Sequence, residues 1–78
     1  MINGYVTALA EQMGIKLSCV SICNNIAFSN SNRKNLKIAS GGKLVFVPFK
    51  SEELMDGVIS EKLKNRLCIV LTNIAELT

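Results

Sequence analysis

The stretch Val6-Thr7-Ala8-Leu9-Ala10-Glu11-Gln12-Met13-Gly14-Ile15-Lys16-Leu17-Ser18-Cys19-Val20-Ser21-Ile22-Cys23-Asn24-Asn25 decides how the fold is read. Val6, Leu9, Ala10 and Met13 recur at i, i+3, i+4 and i+7, which predicts one apolar helix face between Tyr5 and Met13. Asn3 is the expected N-cap. Gly14 is expected to stop the helix in a left-handed conformation. Leu17 to Asn24, with Val20 and Cys23 three apart, then predicts a second short helix beyond the turn.

Downstream, Ser29 to Asn35 is polar throughout and reads as a loop. Leu36-Lys37-Ile38 and Leu44-Val45-Phe46-Val47 are strand-like, and Gly41-Gly42 between them supplies the positive φ angles of a tight hairpin. Pro48 is expected to end the second strand. Ser51 is expected to cap a helix, with Glu52 and Glu53 in its first turn, Gly57 inside it, and Lys62, Lys64 and Arg66 at its far end. Leu63, Leu67, Val70, Ile74 and Leu77 are spaced 4, 3, 4, 3, the seam of a helix that pairs with another helix. The unbroken run Leu67 to Leu71 also suits a buried strand.

With 78 residues the chain makes one core at most, and its stability alone is marginal. Hydrophobic residues are 49% and charged residues 19% of the chain, which excludes a disordered protein. The longest aliphatic run has five residues, far short of the ~20 that span a bilayer. Met1 to Tyr5 shows no basic segment leading into an apolar one, so the reading is cytoplasmic, with no membrane partner.

Three cysteines and no histidine cannot complete a four-ligand structural zinc site, and an odd count does not suit a disulfide scaffold. Cys19 and Cys23, four apart, are expected to share a helix face, as small buried hydrophobes or as a redox or metal pair. Without histidine most acid–base machinery near neutral pH is missing. The expectation is a protein that is not an enzyme, with no catalytic residue, metal or cofactor.

The charge is uneven. From Gln12 to Ser51 there is no carboxylate, but there are six cations: Lys16, Arg33, Lys34, Lys37, Lys43 and Lys50. Residues 52–78 hold five acids against three bases. A basic, acid-free middle is the electrostatic footprint of a phosphate-backbone binder.

The segment from Val6 to Asn25 resembles a helix-turn-helix. Ala10 stands at the close helix crossing, Gly14 at the turn, Met13 and Ile15 plug the crossing, and Val20, Leu9 and Cys23 complete the buried set. Ser40-Gly41-Gly42-Lys43-Leu44-Val45-Phe46, followed by the Ser51–Leu54 helix start, resembles the wing and next helix of excisionase- and MerR-like DNA-binding domains, with Cro- and repressor-like proteins as nearer-known relatives of the motif. The resemblance covers about residues 5–64. It implies an α+β fold, a small winged helix-turn-helix domain over 1–64 with a β-hairpin; the 4, 3, 4, 3 spacing adds, over 65–78, a C-terminal helical (or strand) oligomerisation tail. The resemblance implies double-stranded DNA as partner, Lys16, Ser18, Ser21, Asn24 and Asn25 facing a groove, and Arg33, Lys34, Lys37 and Lys43 on phosphates. Leu63, Leu67, Val70, Ile74 and Leu77 would join a homodimer.

The expected function is therefore a small sequence-specific DNA-binding regulator. Leu17 and Ile22 occupy two exposed recognition positions, no arginine is present there, and the 26–35 link is long for a wing. The alternative is a non-catalytic interaction or oligomerisation module that docks on a protein partner.

Overall fold

The computed structural model describes residues 2–24 and 33–77. Its element order is α1 (Ile2–Gln12), β1 (Cys19–Asn24), β2 (Arg33–Ser40), β3 (Lys43–Lys50), a single 3₁₀ turn at Ser51–Glu53, β4 (Leu54–Met55), β5 (Val58–Ile59) and α2 (Glu61–Leu77). The α+β class holds, as two helices and a three-stranded antiparallel meander β1-β2-β3.

Helix α1 follows its apolar face. Ile2, Val6 and Ala10 are buried and Leu9 packs on the core. Asn3 lies inside the helix instead of capping it. Gly14, at φ +76, closes the helix as expected. The Ile15 amide donates to the Ala10 carbonyl at 2.9 Å and the Gly14 amide to the Glu11 carbonyl at 3.1 Å, the paired bonds of a Schellman ending. Ile15 is buried just beyond it.

The second helix of the expected helix-turn-helix is a strand. Val20 and Ile22 alternate with Cys19, Ser21 and Cys23, a period of two with β-branched residues on one side, whereas an eight-residue helix would bury little. Cys19 to Asn24 pairs antiparallel with Ala39 to Lys34, so its backbone groups are satisfied by β2. Ser18 seals the start, its amide and hydroxyl both donating to the Ala39 carbonyl at 3.1 and 3.0 Å. Among the described residues, a strand and not a recognition helix comes next after Gly14. Cys19 and Cys23 lie four apart along a strand, about 13 Å at ~3.3 Å per residue, too far to bridge. Cys19 is exposed and all three thiols are free, which corrects the buried-pair expectation.

The β2–β3 hairpin forms where expected, Ser40 opposite Lys43, with Gly41 at φ +56 and Gly42 at φ +79. Both strands run longer than expected. Arg33 to Asn35 belong to β2 and not to a loop, and β3 continues through Pro48 to Lys50. Proline is tolerated because β3 is an edge strand. The Pro48 carbonyl accepts from Arg66 Nη1 at 2.8 Å, so this residue's backbone faces outward and no ladder N–H is lost.

The helix expected from Ser51 is also corrected. Asp56 and Gly57 have φ of +53 and +77, a two-residue hairpin turn that pairs Leu54 with Ile59 and Met55 with Val58. The helix starts nine residues later than expected, at Glu61. Ser60 caps it, its Oγ accepting from the Leu63 amide at 3.2 Å.

Helix α2 runs unbroken across residue 64, where the sequence reading divides domain from tail. Leu63, Leu67, Leu71 and Ile74 are buried against Leu36, Ile38, Val47 and Phe49 of the sheet and Ile2 and Val6 of α1. The stripe expected to join two copies therefore closes this chain's own core. Val70 is half-buried at its margin, and the Leu77 side chain lies outside the described residues. Both helices cover one face of the sheet, α1 over β1 and α2 over β3.

Candidate functional site

Strand alternation assigns every sheet residue to a face. Leu36, Ile38, Val47 and Phe49 point to the helices. The opposite face carries Cys19, Ser21 and Cys23 from β1, Arg33, Asn35, Lys37 and Ala39 from β2, and Leu44, Phe46, Pro48 and Lys50 from β3. None of these eleven is buried, so no described element covers this face. It holds three cations and no carboxylate. Leu44 and Phe46 are half-exposed, at 50% and 52%, which is unusual for large apolar side chains unless something binds there. Lys37, opposite Phe46 in the register, sits with its ammonium 5.8 Å from the ring centroid. That cation–π contact holds both side chains on the open surface.

The acids lie elsewhere. Glu53 is the one buried charged residue among those described. Its carboxylate accepts Arg66 Nη1 and Nη2 at 3.2 Å each and the Lys50 amide at 2.8 Å. Arg66 thus ties α2 around the β3 edge to both Glu53 and Pro48. Burial alone would raise the Glu53 pKa. The Arg66 hydrogen bonds, the Lys50 amide and the nearby positive charges outweigh it and hold the carboxyl below the ordinary 4.5. A depressed pKa stabilises the fold above pH 4.5, and the contribution is lost as pH falls through the folded-state value.

Arg66→Met should therefore cost about 2 kcal/mol at pH 7, less than a fully buried pair because Arg66 is 37% exposed. Urea midpoints at pH 7 and pH 3 check this: the gap between parent and variant should narrow in acid. An equal gap at both values would sever the effect from Glu53 ionisation.

The residues expected to touch DNA are dispersed differently from the expectation. Lys16 is exposed in the α1–β1 link, and Ser18 is engaged with Ala39. Ser21 is on the open sheet face, not on a helix. Asn25 and the Asn24 side chain lie outside the described residues. Arg33 and Lys37 are on the open face, Lys43 is exposed at the hairpin tip, and Lys34 points to the helix side. Leu17 packs against the core, whereas Ile22, on the helix side of β1, remains exposed. Lys50 was missed as a site residue. Its parity with Phe46, four residues earlier, is the sequence signal that places it on this face.

No helix among the described residues is long and apolar enough to cross a membrane. Among the same residues no group of three or more potential ligands is placed to hold a metal ion. Comparison with known proteins returned no family model, no curated protein and no solved structure that matches the chain.

Proposed function

We propose that this protein is a small, non-catalytic DNA-binding regulator that uses the open face of its sheet, in place of a recognition helix, against double-stranded DNA. The observation that carries this reading is where the acid-free stretch goes. Its described strands form one sheet, and Arg33, Lys37 and Lys50 emerge on the uncovered face with no carboxylate among them, while Lys43 extends the charge to the hairpin tip. A two-stranded antiparallel ribbon fits the major groove, and strands serve some proteins as the reading element. On this reading the cations meet phosphates, Asn35 offers amide hydrogen bonds, and Leu44 and Phe46 offer apolar contact to thymine methyls. Duplex is favoured over single strands because Phe46 is the one exposed aromatic among the described residues, too few to stack successive bases.

The test is an amide footprint. Short duplex DNA added to ¹⁵N-labelled protein should shift Lys37, Leu44 and Phe46 and leave the outer surface of α2 silent. Shifts concentrated on α2 would refute the assignment.

A second reading rests on exposed apolar side chains. Met55 and Val58, paired at the tip of the β4–β5 hairpin, are 59% and 68% exposed, in addition to Leu44 and Phe46. On that reading the chain is an interaction module, and the homodimer expected from the sequence would form through these residues and not through the α2 stripe. DNA-independent dimerisation lost in Met55→Ser with Val58→Ser favours it.

A further inference from the structure

Arg33 and Lys50 stand directly opposite each other in the β2–β3 register, on the open face at the end of the sheet. Like charges directly opposite on neighbouring strands repel and weaken the pairing. Neither has an ion-pair partner among the described residues. Arg66 reaches the same place from α2. The three cations, with Pro48, Phe49 and Glu53, line a shallow depression of about 250 Å³. Glu53 offsets one charge, but both its oxygens are occupied by Arg66 and one also by the Lys50 amide. The rim keeps a net excess of two positive charges, and Arg66, anchored at three points, is fixed in place.

We infer that this depression is a phosphate seat: Arg33 and Lys50 close on the oxygens of one phosphoryl group, and Arg66 lends its fixed charge from below. A tetrahedral oxyanion between Arg33 and Lys50 turns their mutual repulsion into two charge-assisted hydrogen bonds. The depression is more than wide enough for a phosphoryl group, and its lining, cationic with one engaged carboxylate, suits an oxyanion. The source of that group rests on the reading of the sheet as a DNA-binding face: a backbone phosphate of bound duplex, or else free phosphate.

Inorganic phosphate titrated into the ¹⁵N-labelled 78-residue chain, at ionic strength matched with chloride, tests the seat. Saturating shifts at the Arg33, Lys50 and Glu53 amides and the Arg66 side chain are expected. Arg33→Gln with Lys50→Gln should weaken binding by about ten-fold or more. With no phosphate present the double variant should melt close to the parent, the lost repulsion offsetting the lost attraction of Lys50 for Glu53. Phosphate should raise the melting temperature of the parent and not of the variant. Shifts that never saturate, or that persist unchanged in the double variant, overturn the seat. Duplex DNA that displaces phosphate identifies the backbone as the source, and DNA that binds without displacing it assigns the seat to free phosphate. Saturation by phosphate with no DNA binding at all leaves the seat standing and removes the DNA reading.

Discussion

Leu67→Asp should leave the chain unfolded, not monomeric and folded. Leu67 is fully buried between α1, α2 and the sheet. The variant forfeits roughly 1.5–3 kcal/mol of apolar burial and places an unpaired carboxylate there, which costs several kcal/mol more. At ~0.05–0.15 kcal/mol per residue, a domain of 78 residues has only about 4–12 kcal/mol to lose. Leu67→Ala, a milder change, should cost about 2–5 kcal/mol and shift the urea midpoint accordingly. Ile69→Asp, two residues away but 62% exposed, should change stability by less than about 0.5 kcal/mol. Circular dichroism and sedimentation separate the outcomes. A folded Leu67→Asp monomer from a dimeric parent would restore the stripe as an interface between copies.

Replacing Arg33, Lys37 and Lys50 together with Gln should all but abolish duplex binding near physiological salt while the fold persists. All three side chains emerge on the open face and none enters the core, so the expected stability change is small. Their loss removes up to three phosphate contacts. In the counterion-release description each contact contributes about 0.9 to the slope of log affinity against log salt. Three contacts make affinity at 50 mM salt fall about forty-fold more steeply toward 200 mM. Phe46→Ala should instead reduce affinity with the salt slope unchanged, since it removes contact area and no charge. The two variants acting alike would mean that the face does not divide its work in this way.

The charge pattern and the turns were the legible part of this chain. Gly14 and Gly41-Gly42 announce their φ angles because few other residues adopt them, and the α1 periodicity is strong enough to survive folding. The segment from Leu17 to Asn24 was harder. Val20 and Cys23 fit a helix, Val20 and Ile22 fit a strand, and the choice was made by a partner, β2, whose paired residues lie ten to twenty positions away in sequence. Asp56-Gly57 carried the same hairpin signal as Gly41-Gly42. It was masked by Ser51, Glu52 and Glu53, whose types suit a helix start, although here they make one 3₁₀ turn and feed Glu53 to Arg66. That pair spans thirteen residues and has no local signature. The leucine stripe, which allowed a helix face or a buried strand, is a helix face, but period alone cannot say whether that face meets another copy or its own sheet. The site followed the same logic: the cations were visible as a group, and their common face became visible only once strand register fixed which of them point away from the core.

The measurement that bears most directly on the central claim is the salt dependence of duplex binding by the parent and by the Arg33, Lys37 and Lys50 triple variant. Fluorescence anisotropy of a labelled duplex, followed from 50 to 200 mM salt, gives both slopes. The sheet-face account predicts steep dependence in the parent and a slope shallower by about 3 in the variant. Parent binding that is absent at 50 mM, or a slope that the triple substitution leaves unchanged, contradicts it.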